Sequence, residues 1–337
     1  MSKPVKAFAL LSGGLDSILA ARVVQEQGVE VIGVTFASIL YQDPRRKPSV
    51  PPAEKAAQAL GIELISFPKG TEFFHMIQHP RFGYGSAINP CIDCRIYYLN
   101  KVRVLMPEYS VSFVVTGEVL GQRPKSQMRD SLAIIERESG IAGRVVRPLC
   151  AKLLSPTIPE TEGLIDREKL FGFQGRGRKE QMALAEQYGI RDYPTPAGGC
   201  PLTEIEFMPK VVDLFQHGAY DDDDIRLLSL RRHFRINPET RVILGRDQYE
   251  GEYLIAHQKP GDVRLEPVDF PGPVVLVRGM IDEDAVRTAA GLLVYYSKKR
   301  GTAETPVNAI FPDGTQKTIA APVLDESYVR EIKIDKK

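Results

Sequence analysis

Ser12-Gly13-Gly14-Leu15-Asp16-Ser17 is the stretch on which the fold turns. Before it runs Val5-Lys6-Ala7-Phe8-Ala9-Leu10-Leu11, a short apolar segment that reads as a buried strand. After it, Ile18-Leu19-Ala20-Ala21-Arg22-Val23-Val24 carries apolar residues at helical spacing. A glycine pair between strand and helix lets backbone pass close to a ligand, where a side chain would intrude. The N–H groups of the helix start, with the Ser12 and Ser17 hydroxyls, suit a phosphate or pyrophosphate. A plain tight turn with Asp16 or Ser17 as N-cap explains one polar residue. It does not explain two glycines flanked by hydroxyls on both sides.

Two further apolar runs set the architecture. Val29–Phe36 reads as a second strand, Pro51-Pro52 opens a helix that Gly61 ends, and Ile62–Phe67 makes a third strand. Strand–helix alternation at these spacings predicts an α/β fold with a doubly wound parallel sheet. Ligands in such sheets sit beyond the carboxyl ends of the strands. That places the Ser12 loop and the end of the second strand in one crevice, where Phe36 serves either as an adenine contact or as core.

SGGLDS resembles the pyrophosphate loop of the PP-loop ATP pyrophosphatase superfamily. The resemblance implies cleavage of ATP to AMP and pyrophosphate, with a carbonyl oxygen activated as an adenylate. Ser12, Gly13, Gly14, Leu15, Asp16 and Ser17 would then hold ATP, with Mg2+ offsetting phosphate charge and Asp16 orienting the loop or the ion. The motif lacks the Gly-Lys-Ser/Thr ending of a Walker loop and does not choose among amide ligases, sulfur-incorporating enzymes and tRNA-modifying enzymes.

At 337 residues the chain has room for two domains. Its 43% hydrophobic and 26% charged residues are those of an ordinary soluble protein. A formal net charge of +1 excludes a global electrostatic case for nucleic acid, so an RNA site must be a local basic patch. No run approaches the ~18 apolar residues of a membrane span, and the first apolar run is shorter than a signal-peptide core. We therefore expect a cytoplasmic protein with no membrane partner. Four cysteines in a reducing compartment point to metal or sulfur chemistry rather than disulfides.

Cys91 and Cys94 stand two residues apart at a helix start, where both thiols can face one metal and the positive helix end favours thiolates. Cys200 sits in a glycine-proline loop, Pro196-Ala197-Gly198-Gly199-Cys200-Pro201. Three thiolates from Cys91, Cys94 and Cys200 would leave one iron of a 4Fe-4S cluster open to an extra sulfide. A structural zinc completed by Cys150, His75 or His79, and a catalytic thiol pair carrying a persulfide, are the alternatives. Cys150 follows a strand-like segment and also suits an inert buried thiol.

Val111–Thr116 reads as a fourth strand running into Gly117-Glu118-Val119-Leu120-Gly121-Gln122-Arg123-Pro124-Lys125-Ser126-Gln127. This TGE-xLGQ-xxxSQ pattern resembles the second active-site signature of the tRNA 4-thiouridine synthases. Gly117 would let backbone approach the nucleotide, and Gln122, Ser126 and Gln127 can hydrogen-bond ribose, phosphate or uracil. Arg123 and Lys125 can counter phosphate charge, while Ser126 also suits a helix cap. Arg147 and Lys152, around a fifth strand, are candidates for α-phosphate contact. Gln174-Gly175-Arg176-Gly177-Arg178-Lys179 is a basic turn before a helix over 181–188. Its Arg176, Arg178 and Lys179 fit phosphate-backbone contact. The basic loop of Arg45, Arg46 and Lys47 reads as a solvated connector.

Residues 1–220 are expected to form the PP-loop domain, closed by a short amphipathic helix within Glu204–Phe215. Asp221-Asp222-Asp223-Asp224 marks the boundary and caps a helix from Ile225. Residues 225–337 read as a smaller α+β module. Its expected strands are Thr240–Leu244, Glu252–Ala256, Pro273–Val277 and Asn308–Phe311, with a helix over 282–296 ending in Lys298-Lys299-Arg300. This module resembles the RNA-binding module of NFACT-type proteins, a packing or dimerisation domain being the alternative; the chain is compatible with a homodimer.

Together the resemblances imply an ATP-dependent tRNA sulfurtransferase that adenylates a uracil carbonyl and replaces its oxygen with sulfur, 4-thiouridine being favoured over 2-thiouridine. Its partners would be tRNA and sulfide or a sulfur-donor protein. Two departures stand out: the loop comes at residue 12, with no RNA-binding region ahead of it, and no rhodanese domain follows. Two other classes remain open, a PP-loop enzyme adenylating a small molecule and an RNA-binding protein that keeps the loop as a nucleotide sensor.

Overall fold

β1 (Lys6–Leu10) is apolar on both faces because both faces are covered. Ala7 and Ala9 point into one core, while Phe8 and Leu10 point into another. A computed structural model describes residues 4–40, 50–194 and 200–335. The described residues fall into two compact units. One runs to Ser38 and from 50 to Thr203; the other takes Ile39, Leu40 and the residues from Glu204 on.

In the first unit, β1 is followed by α1 (Leu15–Gln25), β2 (Glu30–Ser38), α2 (Pro52–Leu60) and β3 (Leu64–Lys69). Then come α3 (Thr71–Gln78), α4 (Cys91–Leu105), β4 (Phe113–Thr116), α5 (Arg129–Glu138), β5 (Val145–Val146), the short α6 (Ile158–Thr161) and α7 (Lys179–Gln187). The strands pair in the order β3-β2-β1-β4-β5, all parallel. Leu10 is in register with Val34 on one side and Thr116 on the other. The order reverses at β1, so the loops after β1 and β4 open on the same crevice. α1, α2 and α7 cover one face and α4 and α5 the other. The doubly wound parallel sheet expected from the strand–helix alternation is the fold observed.

The second unit begins with α8 (Met208–Gln216) and α9 (Asp222–Leu227), followed by β6 (Arg232–Asn237), β7 (Thr240–Leu244), α10 (Gln248–Ala256), β8 (Val263–Pro267) and β9 (Val275–Gly279). α11 (Glu283–Tyr295), β10 (Thr305–Ile310), β11 (Gln316–Ala321) and α12 (Glu326–Ile332) complete it. Its six strands pair antiparallel in the order β11-β10-β8-β9-β7-β6. α11 packs one face over Val242, Leu244, Val275 and Val277, and Ile243 and Leu276 meet Leu227 and Leu254 on the other.

Two local readings change. Glu252–Ala256 is not a strand but the end of α10, whose start is fixed by Asp247 accepting the Glu250 N–H at 3.1 Å. α8 is held to the second unit rather than the first: Lys210 Nζ donates to the Leu228 and Leu230 carbonyls at 2.6 and 2.9 Å, and Asp213 receives Arg235. The acidic run does cap α9, with Asp221 accepting the Asp223 and Asp224 N–H groups. Burial opposes the charge of Asp224, but Arg241, Lys259 and Arg278 outweigh it and hold the carboxyl well below its ordinary range.

Burial pulls the Lys210 ammonium down to about 8 from an ordinary 10.5. The folded state therefore gives up a proton that the unfolded chain keeps between these values, and stability rises with pH across that window. We expect the unfolding free energy of the native protein, measured against Lys210→Met, to gain on the order of 3 kcal/mol between pH 8 and 10.5. Urea unfolding at a series of pH values reads it, and a difference that stays flat would refute it.

Candidate nucleotide and thiol site

α1 starts without a side-chain cap. Its N-cap is Gly14, not Asp16 or Ser17, and no side chain bonds the first-turn N–H groups. The Ser17 hydroxyl instead donates to the Gly14 carbonyl at 2.8 Å and lies 3.2 Å from the Ser12 hydroxyl. The Ser17 and Ile18 N–H groups turn to the Gly14 carbonyl at 3.0 and 3.1 Å, which leaves those of Leu15 and Asp16 for an anion. Gly13 has φ +77°, and a Cβ there would lie 2.2 Å from the Pro52 carbonyl carbon, so α2 fixes the loop through a contact only glycine permits. Leu15 is core.

The segment after β4 closes over this loop. A Cβ at Gly117 would meet the Asp16 carbonyl at 2.5 Å, so this glycine admits the α1 backbone itself. Gln122 Nε2 donates to Asp16 Oδ2 at 2.8 Å across 106 residues of chain. Arg178 approaches the same oxygen at 4.0 Å. The turn bearing Arg178 is docked by the Gly175 N–H on the Leu120 carbonyl at 2.8 Å. Asp16 Oδ1 and Gln122 Oε1 are buried without a hydrogen-bond partner. Two orphaned acceptors beside an uncapped helix start fit a cation that accompanies bound phosphate.

Other residues of the motif take structural places. Ser126 and Gln127 are buried, the Gln127 carbonyl accepting the Gly121 N–H at 2.7 Å. Ser126 does not cap α5, whose N-cap is Met128 without a side-chain bond. Arg147 is sealed between Glu118 and Glu136, with Nε 3.0 Å from Glu118 Oε2, and cannot reach a phosphate. Lys152 donates to the Glu168 carbonyl at 2.8 Å and pairs with its carboxylate. Arg123, Arg176 and Lys179 are exposed, and Lys125 reaches the Phe82 carbonyl at 3.3 Å. The loop of Arg45, Arg46 and Lys47 lies outside the described residues.

Cys91 and Cys94 occupy the first turn of α4. Asn89 Nδ2 donates to Cys91 Sγ at 3.1 Å and the Tyr98 hydroxyl to the Cys94 sulfur. Cys200, exposed at the end of its loop, is close enough to feel both Cys91 and Cys94 electrostatically. Lys69 bears on Cys94 and Cys200, Arg95 on Cys91 and Cys94, and Arg123 on Cys200. Burial pushes the Cys94 thiol up to about 11 and raises Cys200 too. Three soft donors among cations suit an anionic iron–sulfur group in their chemistry. Among the described residues no three or more His, Cys, Asp or Glu side chains stand together at metal-holding geometry, with or without His75 and His79. Cys150 is apart from these thiols. It is fully buried, donates to the Glu118 carbonyl at 3.3 Å, and burial pushes it up to about 11.

Phe36 lies beside them in an aromatic cluster, stacked on Tyr98 at 4.2 Å and on Phe67 at 5.5 Å. Its ring has aromatic partners within the fold. Among the described residues no helix is long and apolar enough to cross a membrane.

Residues 4–152 match the family model of the thiamine biosynthesis protein (ThiI), and residues 232–331 match that of the NFACT protein RNA binding domain. The tRNA-specific 2-thiouridylase MnmA of a Nitratiruptor species is 31% identical over 121 residues, 35% of this chain and 35% of its own. The chain thus spans about a third of the length of the curated relatives it matches. Among solved structures, a 4-thiouridine synthetase–RNA complex with bound ATP is 23% identical, covering 55% of this chain and 41% of its own, at a TM-score of 0.36. The U34-tRNA thiolase NcsA from Methanococcus maripaludis with its 4Fe-4S cluster is 18% identical, covering 62% and 65%, at a TM-score of 0.32. The sheet-bearing N-terminal stretch of this chain is therefore similar to the ThiI family and its C-terminal stretch to the NFACT protein RNA binding domain, as the motifs of residues 12–17 and 116–127 and the texture beyond residue 225 led us to expect.

Proposed function

We propose that this chain is an ATP-dependent tRNA sulfurtransferase that converts a uracil carbonyl to a thiocarbonyl. The observation that carries the reading is the uncapped start of α1, with Asp16 held by Gln122 and a thiol group gathered on neighbouring elements. The Leu15 and Asp16 N–H groups at the start of α1 and the Ser12 and Ser17 hydroxyls hold the β- and γ-phosphates of ATP. Asp16 Oδ1 and Gln122 Oε1, both without a hydrogen-bond partner, would hold the Mg2+ that offsets phosphate charge. The uracil oxygen attacks the α-phosphorus and the bond to pyrophosphate breaks, leaving AMP esterified to the base. Sulfide then adds at that carbon and the C–O bond breaks, releasing AMP with its oxygen and leaving C=S. Arg178 and Arg123 balance negative charge as the phosphates separate.

Cys91, Cys94 and Cys200 would hold a 4Fe-4S cluster. With three protein thiolates such a cluster leaves one iron able to carry sulfide. Asn89 and Tyr98 donate to two of the sulfurs and set their orientation. The C-terminal unit supplies RNA affinity, in keeping with the match of residues 232–331 to the NFACT protein RNA binding domain. The 4-carbonyl of uridine is the favoured target on the resemblance of residues 116–127 to the 4-thiouridine synthase signature.

The test uses anaerobically purified protein reconstituted with iron and sulfide, incubated with unmodified tRNA, ATP, magnesium and sulfide. Mass spectrometry of the digested tRNA is expected to show 4-thiouridine that requires both ATP and the cluster. A 2-thiouridine product would move the reaction to the other carbonyl. No thionucleoside, with ATP bound and the cluster intact, would refute the reading in favour of a small-molecule substrate.

A further inference from the structure

The C-terminal unit carries an open groove of about 470 Å³ lined by Arg246, Tyr296, Ser297, Lys298 and the turn Pro271-Gly272-Pro273. Arg246 is paired with the buried Glu250, its Nε 2.7 Å from Oε1 and its backbone N–H 2.8 Å from Oε2. Arg232 lies in the field of that same carboxylate and of Arg246. Both guanidiniums thus lie in the field of Glu250. Arg232 is half-buried over the Tyr296 ring, 4.4 Å from its centroid, and among the described residues its side chain has no carboxylate or carbonyl hydrogen-bonded to it. A half-buried guanidinium held over an aromatic ring, with no carboxylate or carbonyl on its N–H donors, is poised for an oxyanion. α11 ends at this groove, and its terminal carbonyls would repel an anion. Lys298, Lys299 and Arg300 follow at once and offset them.

We propose that this groove binds the phosphodiester backbone of an RNA strand, with Arg232 and Lys298 each neutralising one phosphate and Tyr296 holding Arg232 in place. The proposal rests on the reading that the C-terminal unit contacts RNA. Spaced cations with an aromatic support fit a repeating phosphate better than a single small anion, because each cation can meet a separate charge along the strand.

The full chain is titrated with fluorescent, unmodified tRNA transcript by anisotropy at several salt concentrations. The variants are Arg232→Gln, Lys298→Gln and the pair, with Arg232→Lys as a charge-keeping control. Each Gln variant is expected to reduce the slope of log affinity against log salt by about 0.9, and the pair to weaken binding roughly tenfold near physiological salt. Arg232→Lys should keep the slope. Lys298 is exposed, so its variant tests the site without risk to the fold. Native-like binding and slope in the paired variant would overturn the groove, as would polyglutamate binding as well as tRNA does. If the unaltered chain itself binds no tRNA, it is the reading of the C-terminal unit that fails.

Discussion

Cys200→Ala is expected to lower thionucleoside formation by at least ~10-fold, while ATP still binds with its native affinity. Loss of one ligand from a three-thiolate set should cost no less than loss of an outer partner, which typically costs ~10–100-fold. The substitution is mild for the fold because Cys200 is exposed and fills no core. Surface changes of this kind usually stay within about 0.5 kcal/mol. The loop at residues 12–17 is built by α1, α2, β4 and Gln122, none of which touches position 200 through a hydrogen bond. Thionucleoside yield, iron content and ATP affinity should be measured together on the variant. Cys150→Ala is the control: its thiol is buried on the Glu118 carbonyl, so it should retain iron and product in whatever fraction folds. If thiolation survives Cys200→Ala, the three-cysteine set is wrong.

Glu118→Ala is expected to destabilise the first unit by about 3–5 kcal/mol, the range for breaking a buried ion pair from one side. Glu118 accepts from Thr116 Oγ1 at 3.0 Å and Arg147 Nε at 3.0 Å, with Arg95 3.4 Å away. Both partners on Oε2 are buried, and Arg147 is only 3% exposed. Without Glu118, the Arg147 charge has Glu136 alone to balance it. The pH dependence has a definite sign. Burial opposes the Glu118 charge, but Arg147 and Arg95 and the hydrogen bonds from Arg147 and Thr116 outweigh it, so the folded pKa lies below the ordinary value. Its stabilisation is therefore complete above the ordinary carboxylate range and is lost as pH falls through the folded pKa. Urea unfolding between pH 3 and 7 should show Glu118→Gln with a shallower acid limb than the native chain. Parallel acid limbs would refute the assignment.

Position 118 also shows where sequence reading stops. The motif TGE-xLGQ was legible as a functional signature, and its Gln122 does reach the loop. The division of labour inside it was not legible. Glu118, Ser126 and Gln127 are interior, whereas Gln122 bonds Asp16 and Arg123 is exposed, and no local pattern separates them. Gly117 carried a similar ambiguity: a glycine that must admit backbone looks the same whether that backbone is a ligand's neighbour or α1. Arg178 was legible as a basic residue on a glycine-rich turn. Its approach to Asp16 depends on the Leu120–Gln174 bridge, a pairing between segments about fifty residues apart.

The parallel sheet was legible because its buried strands are nearly continuous apolar runs bounded by helices. The antiparallel sheet was only half legible. β7 and β9 are mostly buried and read as strands, but β6 was not among the expected strands, because its one core residue, Phe234, stands among Arg232, His233 and Arg235. Glu252–Ala256 is too short for periodicity to separate strand from helix, and the Asp247 cap that decides it lies outside the run.

The parallel order β3-β2-β1-β4-β5 has a practical corollary at the opposite rim. The loop of residues 12–17 and the segment 117–127 leave β1 and β4 at their carboxyl ends, so the returns from helix to strand, at residues 26–29 between α1 and β2 and 61–63 between α2 and β3, lie at the opposite end of the sheet. The return at 61–63 is where the chain can be lengthened by an epitope or a fluorescent reporter. A label seated there would sit a full strand length from the nucleotide loop, following folding of this unit without competing with its ligands.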